Sequence, residues 1–217
     1  MLEDGLARVR REPAVLTVAG RTDSGVHARG QVASHDGEPA TARSINGVLP
    51  ADVRVLASEV APDDFDARRD ALSRTYRYRV QARDWASPFE RERSLHWPHP
   101  LDRELLDRCA ALVPGTHDFT AFTPTDTYHT HFHRQVLRSE WIAEADHVVA
   151  YWIEADAFMR SMVRTLVGSM LAVANGRREL GWFAGLLEGR PRAEGGDTAP
   201  AHGLYLEAVT YPQQERS

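Results

Sequence analysis

The chain has 217 residues, with 26 basic side chains against 31 acids and a formal net charge of −5. That balance excludes a histone-like, wholly basic binder but leaves room for a local basic groove, and every basic side chain available for one is arginine. One cysteine, Cys109, leaves no disulfide framework or cysteine zinc site, and no run approaches the ~20 apolar residues of a membrane span, so a reduced, cytoplasmic setting is expected.

In chain order, Leu2, Leu6 and Val9 recur at helical spacing and predict a helix over 2–12. Val15–Ala19 reads as a buried strand that stops at Gly20, where a polar loop opens. Gln31–His35 reads as a further strand, 41–47 as a helix and Val53–Leu56 as a strand. Residues 74–81 alternate as a strand does, with Arg74, Tyr76, Tyr78 and Val80 on one face and Thr75, Arg77, Arg79 and Gln81 on the other. Prolines 88, 98 and 100 mark residues 84–100 as a connection. The domains are expected at 1–84, carrying loop 20–31, and at 85–217, carrying a long helix over 158–175.

Leu101, Leu105, Cys109 and Leu112 share a helical face that ends at Pro114-Gly115. Val136–Ile142 and His147–Glu154 predict strands, Phe158–Asn175 the strongest helix, Glu179–Glu188 another, and Leu204–Tyr211 a last strand. This mixture predicts an α+β fold with antiparallel sheets rather than a regular βαβ winding.

The densest polar constellation is Gly20-Arg21-Thr22-Asp23-Ser24-Gly25-Val26-His27-Ala28-Arg29-Gly30-Gln31. Its glycines permit sharp turns and close approach to a ligand. An aspartate carboxylate in such a loop can act as nucleophile, general base or metal ligand, although it also serves ordinary turns. The loop lacks the Gly-Lys-Ser/Thr of a phosphate-binding P-loop. From Arg68 to Arg93, eight arginines face four acids, leaving a local charge of +4 with tyrosines interleaved. Phosphate clamping beside base stacking uses this mixture. A charge run is nevertheless more often a solvated face whose charges pair with one another. Arg160 and Arg164 lie four apart on the edge of the apolar helix, with Gly168 one turn beyond Arg164. His129, His131 and His133 alternate, but no acid or cysteine completes a familiar ligand spacing, so no metal is expected.

The order of these motifs resembles the TruA-type tRNA pseudouridine synthases. Gly20–Ala28 is similar to their active-site motif. Asn46 with Leu49-Pro50, Phe65–Arg68, Arg74–Tyr78, His117–Phe122, Phe158–Arg164 with Val167-Gly168, and Ala199–Ala201 with Gly203–Leu206 and Val209–Tyr211 follow in the family's order. The resemblance runs from about residue 2 to 212. It implies a pseudouridine synthase fold: two mixed α/β subdomains with largely antiparallel sheets flanking a central catalytic cleft. It also implies a first strand ahead of the first helix, which this sequence lacks.

The implied activity converts uridine to pseudouridine at positions 38, 39 and 40 of the tRNA anticodon stem-loop, without cofactor or metal. The N-glycosidic bond breaks, the uracil turns, and C5 joins the ribose. The family's nucleophile falls on Asp23, its base-contacting tyrosine on Tyr76, and its aspartate-paired arginine on Arg164. Arg21, His27, Arg68, Arg77 and Arg79 are the candidate RNA contacts. A homodimer spanned by tRNA, with no membrane partner, is the implied assembly. Two other readings compete. One is a non-catalytic RNA-binding relative lacking its first strand, against which the intact Asp23, Tyr76 and Arg164 speak. The other is a metal hydrolase built on the histidines.

Overall fold

The structure, a computed structural model, describes residues 1–127, 129–144 and 147–212. The described chain forms two compact units, Met1–Gly20 with Val32–Ala71, and Arg21–Gln31 with Leu72 onward. The division therefore falls near residues 20, 31 and 71 rather than at 84. The reason is strand pairing: the strand over 73–82 joins the sheet of the residues that follow it, and loop 21–31 joins the same sheet.

In the first unit, helix α1 (Leu2–Arg10) and helix α2 (Ala42–Asn46) enclose Leu6, Ala40, Ile45 and Leu49. Helix α1 carries acids in its first turn and arginines in its last, which suits the helix dipole. Strand β1 (Thr17–Val18) pairs antiparallel with β3 (Ala33–Ser34), a shorter ladder than the two predicted strands. The strand expected at Val53–Leu56 is absent. Asn46 takes its backbone partners instead, donating Nδ2 to the Val55 carbonyl at 2.8 Å and accepting the Val55 N–H at 2.7 Å. A side-chain amide has thus replaced the neighbouring strand.

The second unit is built on one seven-stranded, mostly antiparallel sheet that does not close. Its strands are β2 (His27–Ala28), β4 (Ser73–Ala82), β5 (Leu95–Trp97), β6 (Gly115–Asp118), β7 (His133–Ala143), β8 (Val148–Ala155) and β9 (Leu204–Thr210). The order is β2-β9-β4-β8-β7-β6, with β5 also paired to β4. The parallel pairs are β2 with β9 and β5 with β4. The expected connection at 84–100 therefore contains a strand of the sheet.

The alternation read in 74–81 sets the two faces. Tyr76, Tyr78 and Val80 stand opposite Ile153, Tyr151 and Val149 of β8. They join the core with helices α3 (Arg103–Ala111), α4 (Met162–Ala174) and α5 (Leu180–Leu186). The buried side of α3 is Leu106, Cys109 and Ala110, and Leu112 is exposed, so the face is rotated from the expected one. Helix α4 starts at Met162, not 158, because Ser161 has φ +60° and breaks the helical run. Nearly every α4 side chain is buried. Among the described residues no helix is long and apolar enough to cross a membrane.

Candidate active site

All the principal residues of the site belong to the second unit. Loop 21–26 turns tightly: the Val26 N–H donates to the Asp23 carbonyl at 3.1 Å, and Gly25 has φ +83°, which strains any other residue. A Cβ at Gly25 would also meet Ala201 at 3.4 Å. This turn presents Asp23 to the start of α4. There Arg164 Nη1 donates to Asp23 Oδ2 at 2.8 Å, and the Ser161 hydroxyl donates to the same oxygen at 3.4 Å. Arginine is a poor residue for a helix's first turn, where the dipole favours anions, and α4 has no acid of its own there. Asp23, distant in sequence, supplies the missing negative charge.

Arg164 is held from behind. Its Nε donates to the Ala199 carbonyl at 2.7 Å, while the Ala199 N–H donates to the Arg164 carbonyl at 3.1 Å. The segment around Ala199 reaches α4 because Gly168 has no side chain. A Cβ at Gly168 would lie 1.9 Å from the Asp197 carbonyl oxygen. The space left by the missing side chain of Gly168 is thus filled by backbone. Gly168→Ala is expected to displace Asp197–Ala199 and, with it, the guanidinium. We expect a loss of about 1–3 kcal/mol of stability together with slower turnover. Thermal melting and single-turnover assays check this, and an unchanged melting temperature would contradict it.

Tyr76 is buried and meets Phe158 edge-on, with centroids 5.0 Å apart. Burial pushes its phenol up to about 12; the positive charge of Arg74 opposes this and the negative charge of Asp23 adds to it. At neutral pH the ring is therefore an uncharged phenol beside the carboxylate. Tyr78, next on the same face, donates its hydroxyl to the Pro200 carbonyl at 2.8 Å and braces the segment that holds Arg164.

The candidate RNA contacts divide. Arg21 is exposed on the catalytic loop. Arg68 is exposed in the first unit, on a turn tied by the Asp66 carboxylate, which accepts the N–H groups of Arg68 and Arg69. Arg77 and Arg79, by contrast, are held inside the fold. Arg77 pairs with Glu144 at 2.8 Å and Glu207 at 2.7 Å, and its guanidinium lies over Trp152 and Tyr205. Arg79 pairs with Glu90 at 2.6 Å and Glu144 at 2.8 Å. Burial pushes the Glu144 carboxyl up, but the two arginines outweigh it and hold it below the usual carboxylate value. Their side chains are only 13% and 15% exposed, which withdraws them from phosphate. His27 is similarly engaged: Nε2 donates to the Glu92 carbonyl at 2.8 Å and the ring stacks on Tyr205.

Arg160 lies outside α4 and pairs with Asp126. His133 opens β7, and among the described residues no group of three or more His, Cys, Asp or Glu is placed to hold a metal ion. Ser161 and the Ala199 carbonyl are site members that sequence reading missed. The first carried no recognisable capping pattern, and the second is a backbone atom.

Residues 109–212 match a family profile described as tRNA pseudouridine synthase. The chain is 47% identical to "tRNA pseudouridine synthase A" of Frankia casuarinae, over 97% of this chain and 79% of that protein. It is 40% identical to the protein of that name from Corynebacterium glutamicum, over 100% and 81%, and 39% identical to that of Myxococcus xanthus, over 97% and 82%. Identity at this level across nearly the whole chain means that the chain belongs to the tRNA pseudouridine synthase family of isomerases.

Proposed function

We propose that this chain converts uridine to pseudouridine at positions 38, 39 and 40 of the tRNA anticodon stem-loop, with Asp23 as nucleophile. The observation that carries the reading is the Asp23–Arg164 ion pair at the start of α4, in the same site as the buried Tyr76. A carboxylate fixed by an arginine and left 35% exposed can meet an electrophilic carbon. Its target is ribose C1′ or the uracil ring. The N1–C1′ bond breaks, the uracil turns, C5 bonds to C1′, N1 gains a proton and C5 loses one, so atoms balance without a redox partner.

Tyr76 lies against the turned-out base as a neutral ring. Its phenolate fraction at pH 7 is on the order of 10⁻⁵ given a phenol near 12, so it offers a surface and a hydroxyl rather than an anionic base. Flipping the nucleotide costs a few kcal/mol, which phosphate contacts elsewhere offset. Arg21 and Arg68 remain the candidates for them. A cytoplasmic homodimer is the assembly expected to present such contacts to one tRNA.

The test is incubation with unmodified tRNA transcripts followed by site-by-site mapping of pseudouridine. Product confined to 38–40 supports the reading, and product at other uridines overturns the position assignment. Bound but unmodified tRNA would favour the non-catalytic RNA-binding relative.

A further inference from the structure

We propose that Ser161 is a positioning residue for the nucleophile: together with Arg164 it ties down Asp23 Oδ2 and leaves Oδ1 as the attacking oxygen. The inference rests on the reading of Asp23 as nucleophile and adds a role for a residue that does not itself touch the substrate.

Three observations converge on Ser161. It immediately precedes α4, the position where serine usually adopts extended backbone and accepts an N–H from the first helical turn. Here it does neither. Its φ of +60° lies in the left-handed region, which disfavours residues with a Cβ, and its hydroxyl caps no helix N–H. The hydroxyl donates instead to Asp23 Oδ2 at 3.4 Å. Serine has been diverted from its ordinary task, at a cost in backbone strain, to face a carboxylate, and strain of this kind gathers at functional sites.

The convergence has a chemical consequence. Arg164 Nη1 and Ser161 Oγ both address Oδ2. Both side-chain hydrogen bonds that the carboxylate accepts fall on Oδ2. Two donors on one oxygen fix the plane of the carboxylate and draw charge toward Oδ2, while Oδ1 keeps its lone pairs for the electrophilic carbon. The Ser161 contact, at 3.4 Å, is the longer of the two, and the Arg164 bond at 2.8 Å is the shorter. The Ser161 carbonyl also accepts the Thr165 N–H at 2.9 Å, so the residue is anchored to α4, the element that carries Arg164.

The experiment compares S161A, S161G and S161N in single-turnover assays across a range of tRNA concentrations, with thermal melting alongside. S161A is expected to slow the saturated rate by about 10-fold, with the half-saturating RNA concentration unchanged. S161G relieves the backbone strain yet stays as slow, because the donor is gone. S161N recovers to within about 3-fold of the parent, since asparagine tolerates the left-handed region and its amide donates. A purely structural serine would instead make S161G the best variant. Wild-type rate in S161G, or S161N as slow as S161A, overturns the proposal. Turnover by D23N would instead overturn the assignment of the nucleophile on which it rests, so the two failures are distinguishable.

Discussion

Asp23→Asn is expected to abolish pseudouridine formation while tRNA binding persists. The substitution keeps the shape of the side chain and removes its charge and nucleophilicity. Loss of a nucleophile from a cooperating set costs on the order of 10⁴-fold or more in turnover. The Arg164 side chain is 18% exposed and loses its ionic partner, so a secondary loss of about 1–2 kcal/mol in stability is expected, below that of a fully buried pair. Gel-shift or fluorescence titration with tRNA should give a dissociation constant within a few-fold of the parent, because phosphate contacts dominate affinity. Turnover within 10-fold of the parent would refute the assignment, and loss of binding as well would mean that Asp23 organises the loop rather than the chemistry.

The motif order singles out Asp23, Tyr76 and Arg164, of which the fold pairs the first and last, and the alternation over 74–81 marks the strand and its faces. What the sequence did not carry was pairing between distant residues. Nothing in the chain joins Asp23 to Arg164 across 141 positions; the turn at Gly25 and the fit of backbone against Gly168 do. Apolar spacing predicts a helix from 158, four residues ahead of its start at Met162, because such spacing is blind to the left-handed backbone at Ser161. The same spacing puts Arg160 on the helix with Arg164, whereas Arg160 lies outside it and pairs with Asp126.

The arginine-rich stretch holds the main lesson in charge. Arg68 to Arg93 carry a surplus of four positives around Tyr76, and residues 139–157 carry five acids and no arginine. In the fold these regions are neighbours: β4 pairs with β8, and β7 and β8 form a hairpin whose Glu144 takes both Arg77 and Arg79. Glu90 and Glu207 complete the neutralisation. Much of the local surplus is therefore neutralised within the sheet, whereas Arg21 and Arg68 are exposed. Composition records how many charges a segment carries, not which neighbours the strand register will give them.

Arg164→Lys is the second expected large effect, and it separates charge from geometry. One planar guanidinium here serves two acceptors in different directions, Asp23 Oδ2 through Nη1 and the Ala199 carbonyl through Nε. A lysine ammonium keeps the charge but is a single point on a flexible stem, so it cannot hold both acceptors in a fixed fork. Turnover of R164K is expected to fall about 10- to 100-fold, the size of one misaligned charge-assisted bond of 1.5–3 kcal/mol. R164M removes the charge as well and is expected to fall on the order of 10³-fold, since Asp23 then loses its cation and the start of α4 its organising group. Both variants should bind tRNA nearly as the parent does, because this arginine faces the carboxylate rather than the solvent. Single-turnover rates at saturating tRNA, with melting temperatures as a control, read the difference. Equal rates for R164K and the parent would show that the Ala199 anchor is dispensable. Equal, severe losses in R164K and R164M would assign the whole effect to the geometry of the fork.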